Sequence, residues 1–179
     1  MNIKAYNLKN APDRSKIKAL YMEAFPKEER IPWWLMQALT VRTGTEVTAY
    51  YDSDVFCGFT YSAAYEKTLF VLFLAVEESK RGSGYGSAIL EYLKNADSER
   101  TILLNVELLD PDADNYDQRL RRMAFYKKNG FYDTGYNIDE VGGTVRVLAT
   151  KPTPDMDAYL QVFHHMSWGF WKPPIEKVQ

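Results

Sequence analysis

Leu72-Phe73-Leu74-Ala75-Val76-Glu77-Glu78-Ser79-Lys80-Arg81-Gly82-Ser83-Gly84-Tyr85-Gly86-Ser87 joins an apolar run to a glycine-rich turn, and helical spacing begins directly after it. Leu69 to Val76 is almost entirely apolar and reads as a strand buried on both faces. Beyond the turn, Ile89, Leu90, Leu93 and Ala96 lie at i, i+1, i+4 and i+7, one face of an amphipathic helix. The glycines let the backbone approach a ligand closely, and the helix start offers unpaired N–H groups and a positive dipole end. Such a unit suits a phosphate group, although a tight strand-to-helix turn that binds nothing would also use glycine. A P-loop is excluded, because no Lys-Ser/Thr pair follows the glycines. A dinucleotide fingerprint is a competing reading: Gly82-Ser83-Gly84-Tyr85-Gly86-Ser87 has Ser in the last place, and Glu107 follows about 20 residues on, where a ribose-binding acid would sit. Against it, the turn follows an antiparallel meander, and too little chain remains for a doubly wound sheet with a substrate domain.

Upstream, Asn2 to Leu8 reads as a strand, and Pro12-Asp13 opens a helix carrying Ile17, Leu20, Tyr21 and Ala24 that stops before Pro26. A short helix is expected around Trp33 to Thr40. Val47, Ala49 and Tyr51 alternate in one strand and Val55, Cys57, Phe59, Tyr61 and Ala63 in the next, with Asp52-Ser53-Asp54 as the hairpin turn between them. Downstream, Thr101 to Glu107 is a strand with Ile102, Leu104 and Val106 on one face and Leu103, Asn105 and Glu107 on the other. A helix carries Leu120, Met123, Ala124 and Lys127 and ends at Asn129-Gly130. Strands from Phe131 to Ile138 and from Thr144 to Thr150 turn at Val141-Gly142-Gly143. The expected fold class is α/β (α+β): one mixed, mostly antiparallel sheet of about seven strands flanked by helices.

The 179 residues carry 22 Lys plus Arg against 24 Asp plus Glu, a formal net charge of −2. Neither a nucleic-acid footprint nor a basic block for an anionic membrane surface is present, so a small-molecule partner is expected. The longest apolar run, Leu69 to Val76, falls well short of the roughly 20 residues of a spanning helix. Nothing at Met1 to Tyr6 marks the chain for export, and a cytoplasmic location is expected. The single Cys57 reads as a small buried hydrophobe.

At Arg81-Gly82-Ser83-Gly84-Tyr85-Gly86 the sequence resembles the GCN5-related N-acetyltransferases (GNAT), whose acetyl-CoA signature is [QR]-x-x-G-x-[GA]. Leu72 to Val76 looks like the family's fourth strand. The later family signature, an aromatic and a tyrosine ahead of a Gly-Phe pair, is matched by Phe125-Tyr126-Lys127-Lys128-Asn129-Gly130-Phe131. The likeness covers residues 1–150 as an acetyltransferase domain, and residues 151–179 are expected as a helical extension packed on it. The resemblance implies an acetyl-CoA-dependent N-acetyltransferase in which a primary amine attacks the thioester directly in a ternary complex, with no metal. It implies a splayed gap at the fourth and fifth strands, with the pantetheine arm paired to main-chain groups of Leu74, Ala75 and Val76. The pyrophosphate would lie on the N–H groups of Arg81, Gly82, Ser83, Gly84, Tyr85, Gly86 and Ser87, with the Arg81 side chain adding a charge-assisted contact. Arg119 stands where many members carry an asparagine that contacts the cofactor.

Acetyl transfer needs a neutral amine, a donor to the developing oxyanion and a proton for the departing thiolate. Tyr126 matches the family's acid; a core tyrosine on an amphipathic helix is the alternative. Glu107 is a candidate base, or else a solvated strand-end glutamate. Some members, such as the ribosomal-protein alanine acetyltransferases, carry a glutamate where Asn105 stands here. The segment from Phe25 to Trp34 would line the acceptor site, with Trp33 and Trp34 walling a pocket against Glu28 or Glu29, unless it is an exposed charged turn with its tryptophans packed inward. The Asp110 to Asp114 run mimics the start of a calcium loop, but the sixth position is Asn115 and the twelfth Arg121. The adjacent His164 and His165 point in different directions and cannot clamp one metal. Met156, Tyr159, Leu160 and Phe163, followed by Trp168, Phe170 and Trp171, read as a helix and tail that pack over an apolar face, close the acceptor cleft or join a second copy as a homodimer. A non-catalytic acyl-CoA-binding module and a small dinucleotide-binding protein are the other two functions these features allow.

Overall fold

The computed structural model describes residues 1–41, 44–140 and 142–178. Among them a single eight-stranded sheet has the order β1-β2-β3-β4-β5-β7-β6-β8. The described chain divides into two compact units, Met1–Ala64 with Val71–Ser98 and Tyr65–Phe70 with Glu99–Gln179.

The first unit contains β1 (Ile3–Asn7), α1 (Arg14–Ala24), α2 (Trp33–Leu39), β2 (Thr45–Asp52), β3 (Val55–Tyr65), most of β4 (Thr68–Val76) and α3 (Tyr85–Ala96). Asp13 caps α1 by accepting the Ser15 N–H at 2.9 Å, as the Pro12-Asp13 pair predicts. β1 and β2 pair antiparallel with Tyr6 opposite Ala49, and β2 and β3 pair antiparallel with Val47 opposite Tyr61, closed by the expected hairpin. Tyr50 is fully buried as well as its neighbours Ala49 and Tyr51, which strict alternation does not predict. The reason is α3: the Tyr92 ring lies 5.7 Å from the Tyr50 ring, and the Tyr50 hydroxyl pairs with Thr60 Oγ1 at 2.9 Å. On the opposite face Tyr21 of α1 meets Phe25, Trp33, Phe59 and Phe73 at ring separations of 5.2 to 6.1 Å. Its hydroxyl donates to the Ile31 carbonyl at 2.9 Å, which ties the segment after α1 to this aromatic core. Gly58 is required by close approach: a Cβ there would stand 2.3 Å from the Ala75 carbonyl oxygen.

The second unit contains β5 (Thr101–Glu107), α4 (Tyr116–Lys128), β6 (Tyr132–Glu140), β7 (Gly143–Ala149), α5 (Met156–Met166) and β8 (Ile175–Lys177). β5 lies beside the parallel β4, and the Thr101 N–H donates to the Lys67 carbonyl at 2.8 Å where the two strands begin. β7 pairs antiparallel with both β5 and β6, Asn105 facing Val147 and Ile138 facing Val145. Val141, expected in the turn between β6 and β7, lies outside the described residues. α4 ends as its Asn129-Gly130 signal predicts, with Gly130 at φ +78° and its N–H donating to the Lys127 carbonyl at 3.0 Å. In α5, Asp155 caps the first turn, and Tyr159 and Phe163 pack on Phe70 with ring separations of 5.3 and 4.9 Å. β8 is the eighth strand and was not expected; three residues behind Pro173-Pro174 carry too short a pattern, and pairing with the β6 edge creates it. No helix of the described residues is long and apolar enough to cross a membrane.

Candidate active site

In the first unit, β4 alternates at its end: Phe73 and Ala75 are buried, while Leu72, Leu74 and Val76 are half-buried. A 3-10 turn over Glu78–Lys80 follows, its start held by the Glu77 carboxylate accepting the Ser79 N–H at 2.9 Å. Gly82 and Gly84 then take φ values of +75° and +88°, and nothing stands within 4 Å of where a Gly82 Cβ would be. Gly84 is the N-cap of α3, and Ala88 is the residue that donates back to its carbonyl, at 3.0 Å. The N–H groups of the preceding residues therefore lack helical acceptors and carry the positive end of the helix dipole. Tyr85 is held by its hydroxyl donating to Asp52 at 3.2 Å.

The Arg81 side chain is turned back onto its own unit. Nε donates to the Val76 carbonyl at 3.1 Å, and Nη2 is 3.4 Å from the Glu23 carboxylate. The strand end and the turn are thus linked by the residue that the acetyl-CoA signature singles out.

Glu28 and Glu29 lie in a second 3-10 turn, Lys27–Glu29, and are exposed. Trp33 and Trp34 do not form one wall. Trp33 packs against Tyr21 at 5.9 Å, whereas Trp34 is 69% exposed, because consecutive helical residues point about 100° apart.

In the second unit, Tyr126 lies on α4 between the rings of Phe125 and Phe131, at 5.1 and 5.7 Å. Burial pushes its phenol up to about 12, against a smaller pull downward from the Arg122 charge. It keeps its proton at neutral pH and is a weaker acid than a free phenol, so it can donate a hydrogen bond more readily than it can give up the proton.

Glu107, at the end of β5, is committed on both oxygens. One accepts from Asn115 Nδ2 at 3.3 Å, and the other is ion-paired with Arg122. Arg119 is also engaged, donating from Nε to Asn115 Oδ1 at 2.7 Å and from Nη1 to the Leu108 carbonyl at 2.8 Å. The network fastens α4 to the end of β5.

Asn105, two residues earlier on the same face, joins two residues that sequence patterns did not single out together. Its Nδ2 donates to Glu140 Oε1 at 2.6 Å, and its Oδ1 accepts from the Tyr159 hydroxyl at 2.7 Å. No local signal could connect positions 35 and 54 residues apart. Among the described residues, no group of three or more His, Cys, Asp or Glu could hold a metal ion.

The family model described as an acetyltransferase (GNAT) domain matches residues 43–133, just over half of the chain. The chain belongs to this family. A GNAT protein from Bacteroides thetaiotaomicron, described as an acetyltransferase, superposes with a TM-score of 0.74 at 21% identity, over 96% of this chain and 100% of that one. An aminoglycoside 6'-N-acetyltransferase complexed with coenzyme A gives 0.63 at 21% identity, over 87% and 100%. The ribosomal-protein alanine N-acetyltransferase of Escherichia coli gives 0.56 at 17% identity, over 86% and 96%. No curated protein matches the chain by sequence. As a GNAT domain the protein is an acetyltransferase that uses acetyl-CoA to acetylate amines, and the fold class, family and co-substrate expected from the residues are borne out.

Proposed function

We propose that the protein acetylates a primary amine of a small molecule by direct attack on the thioester of acetyl-CoA. The observation that carries this reading is the Gly82-to-Ser87 turn: a parallel strand end, two positive-φ glycines, open space at Gly82 and the free N–H groups of α3 form a cradle suited to a pyrophosphate. When bound there, acetyl-CoA supplies an activated acetyl group. The N–H groups of Gly82 and of Gly84 to Ser87 hold its phosphates, those of Arg81 and Ser83 being already bonded to the Glu78 and Lys80 carbonyls at 3.1 and 3.4 Å, and main-chain groups of Leu74, Ala75 and Val76 align its arm. Arg81 exchanges its Val76 and Glu23 contacts for phosphate oxygens, and Arg119 stiffens the end of β5 through Leu108. Tyr126 donates a hydrogen bond to the departing sulfur. The exposed Glu28 and Glu29, with Trp34, are the first place to look for acceptor contacts in the first unit.

Glu107 serves this reading as a structural anion rather than as the base, since Asn115 and Arg122 already occupy its carboxylate. The same commitment argues against Glu107 as a ribose ligand in a dinucleotide site. The α5 extension contributes through Tyr159, and the enzyme is read as cytoplasmic, with its single thiol buried.

Thermal stability with CoA, acetyl-CoA, NAD and NADH tests the cofactor, because a ligand at 100 times its Kd stabilises by about 2.7 kcal/mol. A shift with CoA and acetyl-CoA alone is expected. Amine-dependent release of free CoA thiol, with spermidine, kanamycin and a peptide with a free N-terminus as acceptors, then separates an enzyme from a non-catalytic acyl-CoA-binding module.

A further inference from the structure

We propose that the acceptor amine carries a carboxylate, as an amino acid does, and that the Arg30 guanidinium and the Tyr61 hydroxyl receive it. This rests on the acetyltransferase reading above and names the class of its acceptor. Arg30 follows the exposed Lys27–Glu29 turn, and its backbone N–H closes that turn by donating to the Lys27 carbonyl at 3.4 Å. Its side chain is far less satisfied. Nη1 donates to the Met22 thioether at 2.9 Å, a weak acceptor, and Nε is buried without a hydrogen-bond partner. Among the described residues no carboxylate forms an ion pair with Arg30, although Glu28 and Glu29 lie in the preceding turn. A buried donor left unpaired is costly, and more so on a charged group.

Tyr61, on β3, repeats the pattern from the sheet. It is fully buried, its ring stacks on Phe73 at 6.1 Å, and its hydroxyl has no hydrogen-bond partner. Tyr21 relates the two residues: its ring lies 5.2 Å from Phe73, and its hydroxyl is spent on the carbonyl of Ile31, the residue after Arg30. Burial pushes the Tyr21 phenol up to about 12, against the Ile31 hydrogen bond and the Arg30 charge. Burial, with Tyr21 as the lesser cause, also raises Tyr61, so both phenols keep their protons at working pH.

A guanidinium edge and a phenol thus stand with hydrogens to donate and no protein oxygen to receive them. A carboxylate supplies two acceptor oxygens and the opposite charge, and Nε belongs to the edge of the guanidinium fork that takes a carboxylate by two bonds. Trp33, 5.9 Å from the Tyr21 ring, adds an apolar wall for the rest of the acceptor. Phe73, on which both tyrosines pack, directly precedes Leu74, where the main chain aligns the acetyl-CoA arm in the proposed site. All of these residues belong to the first unit. A polyamine or an aminoglycoside brings positive charge alone, which the Arg30 guanidinium repels.

The test measures thiol release from acetyl-CoA by wild type, Arg30→Gln and Tyr61→Phe with two matched pairs of amines: phenylalanine against 2-phenylethylamine, and 4-aminobutanoate against butylamine. The members of each pair differ by one carboxylate. Arg30→Gln should reduce the ratio of kcat/KM, acid over plain amine, by about 10- to 100-fold in at least one pair, the worth of hydrogen bonds to a charged group. Tyr61→Phe should reduce the same ratio by about 5- to 10-fold. Reading each ratio against that of wild type cancels the difference in basicity between the two amines. Calorimetric binding of acetyl-CoA, unchanged in both variants, reports an intact fold. If Arg30→Gln loses that binding, Tyr61→Phe, which removes a single oxygen atom, decides the matter. A ratio that stays at the wild-type value in either variant that still binds acetyl-CoA overturns the carboxylate site. So does wild-type activity confined to the plain amines, spermidine, kanamycin and an amidated peptide with a free N-terminus. Absence of thiol release by wild type with every one of these acceptors overturns the acetyltransferase reading instead.

Discussion

The Arg81 guanidinium bridges the Val76 carbonyl and the Glu23 carboxylate, at 3.1 and 3.4 Å. A half-exposed ion pair of this kind contributes little, about 0 to 1 kcal/mol. In the proposed site a pyrophosphate would offer the same guanidinium a stronger, bidentate partner, and binding would then exchange the contacts and free the Val76 carbonyl for the ligand. Glu23→Gln should tighten CoA by up to about 5-fold, which is the same 0 to 1 kcal/mol expressed as affinity. Arg81→Gln should weaken it by about 10-fold or more. Calorimetric titration with CoA measures both; a Glu23→Gln protein that binds more weakly would refute the exchange.

Gly58 sits where β3 runs closest to β4. A methyl group 2.3 Å from the Ala75 oxygen has no room, and the opposing atom is backbone, which cannot move aside. Gly58→Ala should destabilise the protein by about 3 kcal/mol or more, at the upper end for overpacking. Urea unfolding would show a lower midpoint with the slope unchanged.

In the role proposed for Tyr126 the phenol is a donor, so the form that role requires is the neutral one. That form is complete below the folded value of about 12 and is lost as pH rises through it. No alkaline limb in kcat between about pH 7 and 10 should come from this residue, and any limb seen there should persist in Tyr126→Phe. The variant itself should lose about 10- to 100-fold in kcat while its CoA affinity stays unchanged. Stability carries the same sign. An unfolded tyrosine titrates near 10, so the contribution of the buried neutral phenol is present below about 10 and is lost between about 10 and 12.

Glu107 and Arg122 are partly buried, at 29% and 35% side-chain exposure, and Asn115 and Arg119 extend the pair into a network. Removing one charge leaves the other with less solvent than it had in the unfolded chain. Arg122→Gln should cost about 1 to 2 kcal/mol, more than an isolated surface pair, and raising the salt concentration should reduce the difference from wild type. Chemical denaturation at two salt concentrations checks this.

Local order was legible in the sequence because its causes are local. The eight-residue run ending at Val76, the Asp13 and Gly130 caps and the three-glycine turn each act within a few residues through backbone geometry and periodic burial. Seven of the eight strands and all five helices of the described residues could be drawn from such patterns, and so could the two signatures that carry the family. Tertiary structure alone decided what the polar side chains at the strand ends do. Glu107 has the same sequence surroundings whether it is a base or half of an ion pair, and only the placing of α4 beside β5 supplies Arg122. Asn105 acquires Glu140 and Tyr159 from residues 35 and 54 positions away, and Arg81 meets a glutamate 58 positions before it. Periodicity reports which face is apolar; it carries no information about which distant side chain reaches a given polar atom, because that depends on the packing of separate elements.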